Sequence, residues 1–147
     1  MRLLLTILFS ALFFSSEAFT WKVHPSKDNQ SIRKAIQKAN KGDTILVHAG
    51  LYQEGNIKVD KEVILIGVDY PVVDGVFKYE AFTITANNVS IQNFKIINVG
   101  ISSMHDLAAI GGENVSNLYL ANNIIERAFF GIHLANCKSS LIENNQL

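Results

Sequence analysis

The sequence predicts an all-β, right-handed parallel β-helix: a solenoid of about four turns behind an N-terminal amphipathic capping helix, cut short at its C-terminus. Three observations carry that prediction. An ungapped internal repeat of 22 residues closes the chain, short β-branched runs punctuated by Gly and Asn fill its middle, and a single short amphipathic segment precedes them.

The chain opens with a leader. Met1 and Arg2 give a positive start, Leu3 to Phe14 is apolar but for Thr6 and Ser10, and Ser16 and Ala18 are the small residues expected before a cut after Ala18. That is the layout of a secretory signal peptide over residues 1–18, leaving 19–147 as one domain. The apolar run is about 12 residues, too short to span a bilayer, which takes about 20. The exported chain is therefore expected to have no direct membrane insertion after cleavage. Lys plus Arg and Asp plus Glu number 13 each, so no net field draws nucleic acid or an anionic membrane. With Cys137 alone there is no intrachain disulfide framework, and packing has to supply the stability.

Residues 19–30 read as an irregular lead-in. From Ser31 to Lys41 the apolar residues Ile32, Ala35, Ile36 and Ala39 fall on one helical stripe, with Arg33, Lys34, Gln37 and Lys38 opposite. Asp28 or Asn29 is the expected N-cap and Gly42 the left-handed residue that ends the helix. From about residue 43 onward the pattern is β. Thr44–Val47, Asn56–Val59, Val63–Ile66, Phe82–Thr85 and Val89–Ile91 are short β-branched runs, separated by Gly50, Gly55, Gly67, Asp74-Gly75 and Asn87-Asn88.

The spacing decides between a sandwich and a solenoid. Ile110–Ile125 lies over Ile132–Leu147, so that Asn114 meets Asn136, Val115 meets Cys137, Leu120 meets Ile142, and Asn122-Asn123 meets Asn144-Asn145. A looser copy sets Ile84 against Ile110, 26 residues on, and Ile91-Gln92-Asn93 against Leu120-Ala121-Asn122; Gly67 takes the same place one turn earlier. Such a period stacks inward apolar side chains into one continuous core. Asn belongs at the bends, where a left-handed backbone costs Asn or Gly least, and stacked amides can bond along the axis. The Leu-rich consensus of a leucine-rich repeat is missing. The helix is placed to cover the first coil, whereas Leu147 falls at an inward position in mid-repeat, so the last coil is expected to be the weakest part.

The segment Ser31–Gly75 resembles the opening of NosD, the periplasmic maturation proteins of nitrous oxide reductase. The likeness rests on the capping helix, Gly42-Asp-Thr-Ile-Leu-Val47, Gly50-Leu-Tyr-Gln-Glu54, Lys61 before Val63-Ile-Leu-Ile-Gly67, and Pro71-Val-Val-Asp-Gly75. Thr83–Ala86, Val89–Phe94 and Gly131–Leu134 continue it, while the Gly42–Val47 and Gly50–Glu54 motifs also recur in pectate-lyase-like β-helices. The resemblance implies a non-catalytic periplasmic role. The protein would help supply or insert copper at the copper–sulfur centre of nitrous oxide reductase, alongside a membrane ABC transporter.

Copper handling takes thiolate, thioether and imidazole donors. The donors present are Met104, His105, His133, Cys137, His48 and His24. Residues Asn98–Ala109 form an insertion ahead of the strand at Ile110, and alternation about Ile132 and Leu134 turns His133 outward. Met104, His105 and His133 are therefore the candidate metal contacts over one face. Cys137, in the place of Val115, is expected to face the core, and His48 to be a turn residue. A competing class is a carbohydrate-active enzyme with carboxylates on one outward face. Its nearest constellation is Asp106 with Glu113 and Arg127. A third is a sugar-binding solenoid using outward Tyr52, Tyr79, Phe129 and Phe130.

Overall fold

The computed structural model describes residues 17–25 and 31–147, so the expected signal peptide, apart from Glu17 and Ala18, lies outside the described residues, as do Asp28 and Asn29. No helix among the described residues is long and apolar enough to cross a membrane. The chain winds through three parallel sheets. Sheet A holds β1 (Thr20–Val23), β2 (Thr44–His48), β5 (Ile64–Val68), β8 (Ser90–Gln92), β11 (Tyr119–Ala121) and β14 (Leu141–Glu143). Sheet B holds β3 (Leu51–Tyr52), β6 (Val72–Asp74), β9 (Lys95–Ile97) and β12 (Ile124–Glu126). Sheet C holds β4 (Ile57–Val59), β7 (Phe82–Ile84), β10 (Ala108–Glu113) and β13 (Phe130–Ala135). Four complete A–B–C turns, flanked by β1 and β14, make a β-solenoid of about five turns.

Registered side chains build the core. Trp21, Ile45, Leu65, Ile91, Leu120 and Ile142 stand in one inward column of sheet A. Tyr52, Val73, Ile96 and Ile125 form the column of sheet B, and Ile57, Phe82, Ile110 and Ile132 that of sheet C. The columns are fully covered through the middle turns, and exposure rises toward the last coil, where Ile142 is 47% exposed. Leu147 reaches back toward Gly131, an inward direction, and is 78% exposed.

The 22-residue overlay is the actual register: Leu120 pairs with Ile142 and Ile110 with Ile132. Ile91 and Gln92 pair with Leu120 and Ala121, and Gly67 follows Ile66 in the same column. Within the looser copy, the match of Ile84 to Ile110 is off by two. Ile110 pairs with Phe82, and Ile84 pairs with Gly112, because the B-to-C loop of that turn, residues 98–107, absorbs the extra length.

The helix α1 (Ile32–Lys38) is shorter than expected and is capped by Ser31, whose hydroxyl accepts from Lys34 N at 3.0 Å, in place of Asp28 or Asn29. Glu54 accepts from Ile32 N and Arg33 N, serving the free amides of the first turn, and Lys61 donates to the Gln37 and Ala39 carbonyls at the other end. Because the helix stops at Lys38, Gly42 is no C′ residue; its φ of +88° belongs to the turn leading into β2. The lead-in is also more ordered than expected. Thr20–Val23 pairs in register with Thr44–Val47, and α1 packs against β1, β2 and β4.

Candidate functional site

Sheet C positions the site. In the strands β4, β7, β10 and β13, Lys58, Thr83, Gly111 and His133 are register partners facing outward, opposite the inward column of Ile57, Phe82, Ile110 and the partly buried Ile132. Period-two alternation on a sheet with one packed face dictates this arrangement. Beside it the B-to-C loop of residues 98–107 rises over the sheet. Ser102 Oγ accepts from Met104 N and His105 N at 3.1 and 3.2 Å, and Leu107 N donates to the His105 carbonyl at 3.0 Å, so the loop tip is a hydrogen-bonded turn.

Between loop and sheet lies a groove of about 370 Å³ that receives Met104, His105 and His133 together. The three sequence-predicted residues thus line the same groove. Met104 is 84% exposed, His105 is exposed, and His133 is half-buried, its ring stacked on Phe130 at a centroid distance of 5.7 Å. Among the described residues no group of three or more His, Cys, Asp or Glu lies close enough to hold a metal ion. A thioether with two imidazoles is nonetheless a donor set suited to a soft monovalent cation such as copper(I), and Met104 supplies its softest member.

The groove floor holds residues that sequence reasoning passed over. The Glu80 carboxylate accepts from the Thr83 hydroxyl and, at 3.1 Å, from Ala108 N, while Asn56 Nδ2 donates to Thr83 Oγ1 at 2.6 Å. Glu80 lies against the sheet where Gly111 leaves room; a Cβ there would meet its carboxylate at 2.7 Å. Asp106 and Glu113 also line the groove. The two-residue error in the looser repeat hid this set, since only the true register places Thr83 in the column of Gly111 and His133.

The other candidates go elsewhere. Arg127 does not join Asp106 and Glu113: its Nε donates to Asn98 Oδ1 at 2.6 Å on the side of the solenoid where sheet B meets sheet C. Cys137 packs against the core, its thiol directed at the Gly112 and Ala135 carbonyls. His48 ends β2 in the first turn and stacks on His24 at 4.0 Å, outside the groove. Tyr52 is no outward platform. It is buried, its hydroxyl donates to the His48 carbonyl at 2.8 Å, and burial, then the charge of Glu54, pushes its pKa up to about 12. Phe129 and Tyr79 do face outward, and Phe130 is half-buried. Comparison with protein-family models, with curated proteins and with solved structures returned no match.

Proposed function

We propose that this chain is a non-catalytic accessory solenoid of the NosD kind, exported to the periplasm, that carries copper(I) toward the copper–sulfur centre of nitrous oxide reductase beside a membrane ABC transporter. The observation that supports this reading is that Met104, His105 and His133 all line one groove on sheet C. Thioether and imidazole bind cuprous ion well, and an exposed loop tip suits a cargo that must be handed on rather than a resident metal. Copper is the cargo here, with no chemistry of its own in the protein.

The test is a copper(I) titration against a competing chelator. The wild-type chain is expected to take one cuprous ion, and the His105→Ala, His133→Ala double variant to bind at least about tenfold more weakly, the loss of about 1.4 kcal/mol. Equal affinity for both proteins overturns the proposal.

A second reading draws on a separate observation. Glu80, Asp106 and Glu113 line the same groove, with the Phe130 ring next to His133. Clustered carboxylates with an aromatic ring nearby are the chemistry of a carbohydrate-active or sugar-binding β-helix. Turnover of a uronic-acid polymer by the chain that binds no copper would favour that reading.

A further inference from the structure

The loops joining sheet B to sheet C stack at one corner of the solenoid, and they present apolar side chains to solvent. Phe77, Ile101 and Phe129, from three successive turns, are 66%, 76% and 72% exposed and line one shallow hollow together with Arg127. Exposed apolar patches that no neighbour covers mark contact surfaces. The backbone beneath them is unusual as well. Val76 and Phe77 have φ of 48° and 56°, the left-handed region that β-branched and aromatic residues avoid. They are clamped there, Val76 N donating to Asp74 Oδ1 at 2.9 Å and Phe77 N to the Asn98 carbonyl at 2.7 Å. Strain held in place this firmly, with no packing gain for the exposed ring, points to a use for that ring outside the fold.

The charges on the corner say what covers it. Lys78 lies 5.1 Å over the Tyr79 ring, and neither it nor Arg127 makes an ion pair among the described residues. The nearby acids have closer partners: Glu126 pairs with Lys95 at 2.8 Å, Glu80 is turned onto sheet C, and Asp74, whose carboxyl also feels the Arg127 charge, accepts from Gln53, Asn98 and Val76 N. The corner therefore offers aromatic and aliphatic tips beside two cations that stand outside any ion pair. That is the complement of an anionic bilayer interface, where rings enter the boundary and Lys and Arg stay at headgroup level. The attraction is local, since the formal net charge of the chain is zero.

We infer that this corner docks the chain peripherally on an anionic lipid bilayer through Phe77, Ile101 and Phe129, with Lys78 and Arg127 pairing to headgroups. The inference does not rest on the copper reading. The test uses the full chain carrying Phe77→Trp, mixed with vesicles of phosphatidylglycerol and phosphatidylcholine containing brominated acyl chains. After subtraction of the Trp21 signal of the parent chain, the emission of the introduced indole is expected to be quenched and shifted to the blue. Adding Lys78→Glu with Arg127→Glu is expected to weaken the effect about tenfold. The control is Leu51→Trp, on the outer face of sheet B, which the leader segment would bring to the vesicle equally; it is expected to stay unquenched. Equal quenching at positions 51 and 77, or none at 77, overturns the inference. So does light scattering that shows a dimer lost on Phe77→Ser, which would assign the corner to a second copy of the chain.

Discussion

Asp43 shows how much a single buried carboxylate organises at the start of the solenoid. Its Oδ1 accepts from Phe19 N at 2.8 Å, and its Oδ2 accepts from the Trp21 indole at 2.9 Å and from Asn40 N at 2.8 Å. One side chain therefore ties β1, the end of α1 and the start of β2. The Phe19 amide first, then the Trp21 indole and Asn40 amide, hold its carboxyl below the ordinary value against the opposing effect of burial. A depressed folded pKa means that the stabilisation is complete above the unfolded value of about 3.9 and is lost as pH falls through the lower, folded one. Trp21 is the chain's single tryptophan, so its fluorescence reads this contact. An acid titration is expected to show a Trp21 transition below about pH 4. In Asp43→Asn the neutral-pH spectrum is expected to be altered already and the acid step absent; an unchanged step would remove Asp43 from this role. Nothing in the local pattern announces the contact, because its donors come from residues 19, 21 and 40, which only folding brings together.

The paired asparagines divide their work between bend and ladder. Asn122 and Asn144 take φ of 56° and 54°, and Asn93 one turn earlier takes 60°, so the first Asn of each pair makes the left-handed bend from sheet A to sheet B. The second makes the ladder. Asn123 is fully buried, donates from Nδ2 to Asn145 Oδ1 at 2.9 Å and to the Ile91 carbonyl at 3.0 Å, and accepts from Phe94 N at 3.0 Å. Asn123→Ala leaves the Phe94 amide buried without a partner and is expected to cost about 1–3 kcal/mol in urea denaturation. Asn122→Gly keeps the bend and is expected to change stability by less than about 1 kcal/mol; equal losses would contradict the division. Bends and amide stacking were legible in the sequence because both follow the repeat. Two elements were legible only in part. Ser31, beside the expected Asp28 and Asn29, became the cap because Glu54 meets the helix start at Ile32. The strand Thr20–Val23 reads as lead-in because its pairing partner is 24 residues away.

At the scale of the molecule, stability follows position along the axis, since each coil touches only its neighbours. Ile91 and Ile142 occupy the same inward column of sheet A, yet Ile91 is fully covered while Ile142 is 47% exposed. Ile91→Ala is expected to cost about 2–5 kcal/mol and Ile142→Ala less than about 1 kcal/mol by denaturant unfolding. Similar costs would mean that the last coil is packed as firmly as the middle. The corner between sheets B and C has its own axial tie. Asp74 accepts from Gln53 and Asn98, and Asn98 in turn accepts from Arg127, linking four turns. Burial alone would raise the Asp74 carboxyl, but the bonds from Gln53, Val76 N and Asn98, with the Arg127 charge, bring it below its ordinary value. By itself the sequence determined the parallel solenoid, the inward apolar columns, the Asn bends and the outward aim of His133, because alternation and a near-constant period propagate from residue to residue. Tertiary structure alone decided the strand at Thr20–Val23, the inward turn of Tyr52, the separation of Arg127 from Asp106 and Glu113, and the place of Glu80 beside the groove. These depend on loops of unequal length, which shift the register from turn to turn and leave no periodic trace in the chain.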